Sequence, residues 1–346
     1  MLSEQLREIF LKKKDPFADI LGQERAKQGI KSALLMNRHI IIVGAPGIGK
    51  TTLAKNIAKL LPDIDVVEGC SYHCTKENLI CPSCKQKTNF KTAELKGERR
   101  FVRIQGSPDL TVEDLLGDID PIKALKFGPL SLEAFTPGKI FKANNGVLFF
   151  DELNRCPEKL QNALLQVLEE GKATIGSYDV DFDIIFIFIS TMNPEDTSTE
   201  KLSDVLLDRF DIIYMDYPED VETEKEIVLM KGKKIVNISD ELLTLIVYFV
   251  RILRQDDKLE KKPSVRASIG LYERSQSNAL LSGRKNVQFE DIKDALISVL
   301  SHRIRLKASV RYLESVEDYL NEQFHKNVEG VKWQNHLEEK EAGDYR

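Results

Sequence analysis

Two groups of residues in this chain have the types and spacing to do chemistry. The first is GAPGIGKTT, Gly44 to Thr52, which satisfies G-x-x-x-x-G-K-[ST] directly after the apolar run HIIIVG and at the head of KTTLAKNIAKLL, a helical pattern. Gly44, Ala45, Pro46, Gly47, Ile48 and Gly49 make a loop whose backbone N–H groups can curl around phosphate oxygens. The following helix N-terminus adds positive potential. Lys50 then reaches the β- and γ-phosphates, Thr51 offers its hydroxyl to Mg²⁺, and Thr52 extends the contact. Further along, GVLFFDE (146–152) ends in Asp151, suited to hold Mg²⁺ through its water shell, and Glu152, suited to orient an attacking water. IFIST leads to Asn193 in TMNP, an amide that can position the same water. Arg209 in LLDRFD and Arg266 in SVRAS are arginines available to a developing negative charge on the γ-phosphate. The residues alone point to a Mg²⁺-dependent nucleoside triphosphatase.

The second group is CSYHCTKENLICPSC. It places four of the five cysteines, Cys70, Cys74, Cys81 and Cys84, in the spacing C-x3-C-x6-C-x2-C. Four thiolates in two short-spaced pairs close a tetrahedron around Zn²⁺ and leave no position open for water, which makes a structural zinc the leading assignment. An iron–sulfur cluster also takes four cysteines, and two disulfides or free thiols remain as further readings. His73 stands beside Cys74 and could replace one thiolate. Cys156, near Asp151, is read as a packed side chain.

The elements that must carry these groups follow from periodicity. Continuous apolar runs at 39–44, 146–152 and 183–191, with strand-like DIDVVEG (63–69), RRFVRIQG (99–106) and DIIYMDYP (211–218), alternate with helical patterns. That is a three-layer α/β core with a largely parallel sheet covered on both faces. After Pro218 the patterns are helical. Residues 219–305 read as a separate helical domain, and 306–346 as an extension in which Val310, Leu313, Val316, Leu320 and Phe324 share one helical stripe. The tail, with Trp333 shortly before it, reads as disordered. The formal net charge of −5 argues against a protein that coats nucleic acid. The longest apolar run, LLTLIVYFV, is far short of the ~20 residues a membrane span needs, and no targeting segment is visible, so the expectation is a cytoplasmic protein.

Together the stretches ILGQERAKQGI, GAPGIGKTTLAK, FTPGKIFKANNGVLFFDELNR, STMNPED, LLDRFD and SVRASIGLYERSQSNALLSGRKNVQFEDIKDA resemble the AAA+ ATPases, in the branch of magnesium-chelatase ATPase subunits and MoxR-type ATPases, over residues 17 to about 303. The resemblance implies a P-loop NTPase core over 1–218, with a cysteine insertion at 70–98 and a helix-2 insert at about 115–145, followed by an all-helical lid. It implies ATP/ADP as ligand, Asn193 as sensor 1, Arg266 as sensor 2 on the lid, and Arg209 as an arginine finger acting on a neighbour's ATP. A ring, usually hexameric, follows from that last role. Inserts of this kind couple hydrolysis to a client, and residues 171–183 resemble the hairpin before sensor 1, which makes Lys126 and Phe127 on the insert and Lys172 on the hairpin candidate client contacts. The implied function is remodelling or maturation of a protein client. The alternatives are the motor subunit of a metal chelatase, working with a partner that carries a von Willebrand factor A domain, or a DNA- or RNA-dependent motor related to minichromosome maintenance helicases. The cysteine insertion and the extension beyond 305 have no counterpart in the resemblance.

Overall fold

The structure, a computed structural model, describes residues 2–129, 131–175, 180–193 and 202–329. The chain forms two units, one of residues up to Gly44 with Gly49–Met215, the other of Ala45–Ile48 with the chain from Asp216 onward.

Five strands organise the first unit: β1 (His39–Val43), β2 (Phe101–Gln105), β3 (Gly146–Asp151), β4 (Phe186–Met192) and β5 (Phe210–Tyr214). They pair in the order β5-β1-β4-β3-β2, every pair parallel. Parallel strands need crossovers, and the helices that supply them cover both faces. This is why the runs are apolar without alternation. On one face Ile41, Val43, Leu148, Phe150 and Phe188 pack with Leu160, Leu164 and Val167, which sit at helical spacing on α4 (Glu158–Glu170). The intervening Ile40, Ile42, Val147, Phe149 and Ile189 are equally buried. They face the layer of α2 (Glu24–Leu35), packed on β1 and β5, and α3 (Lys50–Leu60), packed on β3 and β4. The N-terminal helix α1 (Leu2–Lys12) lies against α2.

One strand-like stretch does not join the sheet. Ile64–Val67 pairs antiparallel with Thr92–Leu95 in a separate ribbon. Only Val66 and Val67 of that segment are buried, so it lacks the two apolar faces that a central strand requires. The cysteine stretch leaves the tip of this ribbon.

The second unit contains α5 (Val221–Lys231), α6 (Asp240–Gln255), α7 (Val265–Leu281), α8 (Phe289–Leu300) and α9 (Val316–Phe324). A short antiparallel ribbon of Leu259–Lys261 with Arg305–Leu306 lies among them. Inside, the Glu224 carboxylate accepts both Nη groups of Arg254, at 2.5 and 2.7 Å, and the Ser268 hydroxyl at 2.6 Å. The stripe expected over 310–324 is broken. A helical turn, Ala308–Arg311, stops, and α9 restarts where the Ser315 hydroxyl accepts the Asp318 N–H. A serine cap fixes a helix start and so interrupts the periodicity. Leu313 is consequently 87% exposed, while Leu320 and Phe324 enter the same apolar cluster as α6 and α8. Trp333 and the tail lie outside the described residues. Among those described, no helix is long and apolar enough to cross a membrane.

Candidate nucleotide site and cysteine cluster

The loop after β1 emerges where strand ends converge. The Gly44 N–H donates to the Met192 carbonyl at the end of β4, and the Met215 N–H, just past β5, donates to the Val43 carbonyl. Gly47 and Gly49 have φ of 79° and 104°, in the left-handed region where a Cβ is unfavourable, so glycine at these two positions is a backbone requirement. Gly49 caps α3, whose first residues are Lys50, Thr51 and Thr52; the Lys50 ammonium donates to the Gly44 carbonyl.

Asp151 ends β3, which is separated from β1 by β4 and runs parallel to both. Its Oδ1 accepts the Thr191 hydroxyl at 2.6 Å and its Oδ2 accepts Arg103 Nη2 at 2.6 Å. Glu152 follows with φ 56°, a left-handed conformation uncommon for a non-glycine residue. The Glu152 N–H donates to Thr191 Oγ1 at 2.9 Å, and its carboxylate accepts Gln105 Nε2 at 3.0 Å and lies 3.3 Å from Arg155 Nε. Thr191 therefore holds both acidic residues through one hydroxyl. The backbone passes so close to Gly106 that a Cβ there would sit 2.1 Å from the Glu152 carbonyl oxygen. Asn193 follows Met192 on the strand next to β1. Thr191, Arg103, Gln105 and Gly106 escaped the sequence reading; the one signal available was a hydroxyl at the polar end of an otherwise apolar strand.

Arg209 is not brought to the loop of its own chain. It precedes Phe210, which is paired with His39 at the start of β1, whereas the loop follows Val43 at its end. Four residue rises along a strand separate the two levels by about 13 Å. Arg209 instead donates to Glu169 at 2.7 Å and to the Val205 carbonyl at 2.6 Å. Arg266 opens α7 in the second unit. There a Cβ on Gly47, which belongs to that unit, would meet Ser264 Oγ at 2.8 Å and Arg266 Cγ and Cδ at 3.1 Å. Lys126 and Phe127 lie on a helix, Pro121–Phe127, that buries no residue; Ile122 and Leu125 on it are 80% and 91% exposed. Lys172 is exposed at the start of the hairpin formed by Lys172–Ile175 and Val180–Asp183.

The four clustered cysteines meet in space, their sulfurs all within 4.8 Å of one another. Cys74, Cys81 and Cys84 are buried and Cys70 partly so, among Val67, Leu79, Ile80 and Phe90. Backbone N–H groups point at the sulfurs: Ile80 and Cys81 donate to Cys74 Sγ at 3.3 and 3.4 Å, and Cys84 donates to Cys81 Sγ at 3.3 Å. Donors arranged this way disperse thiolate charge. Hydrogen bonds from Cys74 and then Cys81 pull Cys70 below the usual thiol range, the contact with Cys70 raises Cys81, and burial raises Cys84. Cys70 and Cys81 Sγ are 3.7 Å apart and all four cysteines are free. A disulfide needs about 2.05 Å. His73 is not among the clustered ligand atoms. Cys156 is fully buried in the main core.

Comparison with known proteins gives three family matches. Residues 81–212 match the ATPase family associated with various cellular activities (AAA), 253–322 match the AAA lid domain, and 16–97 match magnesium chelatase, subunit ChlI. The magnesium-chelatase subunit ChlI homolog of Methanocaldococcus jannaschii is 30% identical over 325 residues, covering 84% of this chain and 86% of that protein. The magnesium-chelatase 38 kDa subunit of Chlorobaculum parvum is 27% identical over 328 residues, covering 84% and 91%. Among solved structures, the complex between subunits BchI and BchD of magnesium chelatase is similar at 24% identity and a TM-score of 0.49, over 88% of this chain and 98% of that one.

Proposed function

The chain belongs to the ChlI family of AAA+ ATPases and hydrolyses ATP, and from that premise we propose that it is the motor of a ring, turning over ATP at each subunit boundary to drive a change in a partner protein. The observation that carries this reading is the place of Arg209. An arginine finger must reach the γ-phosphate, and this one stands at the opposite end of the sheet from its own phosphate loop. It can act only on nucleotide held by a neighbour.

In this reading Gly44–Gly49 and Thr52 wrap the phosphates and Lys50 exchanges the Gly44 carbonyl for the β- and γ-phosphates. The Thr51 hydroxyl and the Asp151 carboxylate are hard oxygen donors that suit Mg²⁺, which when bound would neutralise charge developing on the phosphates. The hydrogen bond from Thr191 and the ion pair with Arg103 orient Asp151 for that task. Glu152 turns from Gln105 to the attacking water, Asn193 holds the same water, and Arg266 senses the γ-phosphate. The exposed helix at 121–127, with Lys126 and Phe127, and Lys172 on the hairpin contact the client.

The names of the two relatives favour a second, narrower reading, in which the partner is the metal-inserting part of a chelatase. It requires that a tetrapyrrole-binding partner with a von Willebrand factor A domain raise the ATPase rate. A hexamer and a cytoplasmic location belong to the same proposal; a reducing compartment suits four neighbouring thiols.

For the quartet we infer zinc. A tetrahedron with metal–sulfur bonds of about 2.3 Å has edges of about 3.8 Å, and Cys70 and Cys81 Sγ are 3.7 Å apart. An iron–sulfur cube needs its thiolates spread around separate corners.

Mixed rings test the motor. Lys50→Ala and Arg209→Ala should each be inactive alone. Mixed together they should regain part of the wild-type rate, because an Arg209→Ala subunit can still bind ATP at a boundary where its Lys50→Ala neighbour donates the arginine. No recovery at any mixing ratio would remove the trans role and the ring with it.

A further inference from the structure

The residues from Cys70 to Cys84 contain one short helical turn, Pro82–Lys85, and no strand. A segment with so little regular structure keeps one shape only if something closes it. Its contacts with the body of the first unit leave from Tyr72 and His73, which stand between the first two cysteines. The Tyr72 ring meets Phe141 edge-on at 5.2 Å and stacks on Phe182 of the hairpin at 6.0 Å. The Tyr72 carbonyl accepts Asn144 Nδ2 at 2.9 Å, and the His73 carbonyl accepts Asn145 Nδ2 at 3.2 Å.

Those two asparagines grip the feet of the catalytic strands. Asn144, fully buried, uses the other end of its amide to accept the Ile185 N–H at 3.2 Å. The Asn145 N–H donates to the Ile185 carbonyl at 2.6 Å, and its own carbonyl accepts Arg100 Nε at 2.6 Å. Gly146, the next residue, starts β3, which ends in Asp151; Phe186, following Ile185, starts β4, which carries Thr191. The two strands are paired from Gly146 to Phe150, so a shift at the foot is carried toward the far end, where Thr191 holds Asp151 and Glu152.

We propose that Tyr72, Asn144 and Asn145 form a latch through which metal in the quartet positions the hydrolytic carboxylates and the client-facing hairpin. The inference rests on the zinc assignment above. Metal bound to Cys70 and Cys74 closes the loop between them and so presents the Tyr72 ring and both carbonyls in register with their partners. The three are positioning residues: none touches nucleotide, and the latch acts on turnover and not on ATP binding.

The test uses the full chain, with zinc content, kcat and KM for ATP measured for each protein. Wild type stripped of metal with a chelator should lose about tenfold in kcat, with KM changed by less than about twofold. Tyr72→Ala and Asn145→Ala should keep their zinc and show the same loss, while Tyr72→Phe, which preserves the ring, should restore the rate. Stripping metal from Tyr72→Ala should cost less than it costs wild type, because the ring contact is already lost. An unchanged kcat in metal-free wild type, effects of Tyr72→Ala and metal removal that multiply, or a rise in KM with kcat intact would each overturn the latch. A chain purified without metal would sink the zinc assignment separately, and the comparison of Tyr72→Ala with Tyr72→Phe would still decide the latch.

Discussion

Thr191 gives one hydroxyl to two acidic residues, donating to Asp151 and accepting the Glu152 N–H. Replacing it with valine keeps the shape and removes both hydrogen bonds, leaving a partly buried N–H and a carboxylate oxygen without that partner. A loss of about 1–3 kcal/mol per unpaired group should appear as a kcat at least about tenfold lower with nucleotide binding retained. Glu152→Gln should also bind ATP yet lose about 100-fold or more in turnover, the scale of a lost general base. Single-turnover hydrolysis with labelled ATP, alongside equilibrium binding, separates these outcomes; normal hydrolysis by Glu152→Gln would refute its role with water. The places of Lys50 at a helix start and of Asp151 and Glu152 at a strand end were legible from local order, because a strand ending in a polar residue needs no partner to be recognised. Thr191 was not, since its meaning lies in a neighbour across the sheet.

At the scale of elements, two features govern stability. Glu224 on α5 is fully buried and joined to Arg254 on α6 and Ser268 on α7. Removing one side of a buried ion pair strands the other charge, so Glu224→Ala should cost about 3–5 kcal/mol, read as a lower urea midpoint. On the other unit, His39 begins β1 among Phe186, Phe188 and Phe210. Burial lowers its pKa from 6.5 to about 4, and its Nδ1 has no hydrogen-bond partner among the described residues. Above pH 6.5 the ring is neutral in both folded and unfolded chains and contributes nothing to the pH dependence. As pH falls from 6.5 toward 4 the unfolded chain takes up a proton that the folded one refuses, so stability falls through that window and levels off below it. The loss amounts to about 3 kcal/mol, and His39→Phe should flatten this part of the acid limb in denaturant titrations. Periodicity placed most helices and strands correctly. It failed at 310–324, where the cap at Ser315 overrides the apolar stripe; at Ile64–Val67 the expected strand forms, but it joins a ribbon instead of the sheet.

At the scale of the whole molecule, the proposed trans role of Arg209 requires a second copy. Glu152→Gln, able to bind ATP without consuming it, should sediment as a closed ring with Mg²⁺ and ATP. Lys50→Ala should remain smaller under the same conditions. Equal sedimentation of the two would mean that assembly does not depend on nucleotide at the boundary. The same trapped ring is the form in which to ask whether a tetrapyrrole-binding partner or duplex DNA raises the wild-type rate. DNA stimulation with a steep salt dependence would replace the protein-partner reading.

The order of residues by itself determined the phosphate loop, the carboxylate pair, the four-cysteine set and the alternation of strands and helices. Each is written in spacings of a few residues, which backbone geometry converts directly into a loop, a strand end or a cluster of thiols. Tertiary structure alone decided that Arg209 stands at the far end of the sheet from its own loop and that Thr191 joins Asp151 to Glu152. It also decided that the cysteine stretch, which reads as an excursion remote from the chemistry, is fastened through Tyr72, Asn144 and Asn145 to the feet of β3 and β4. Strand order, register and contacts across 72 residues depend on which surfaces pack together, and no local spacing records that.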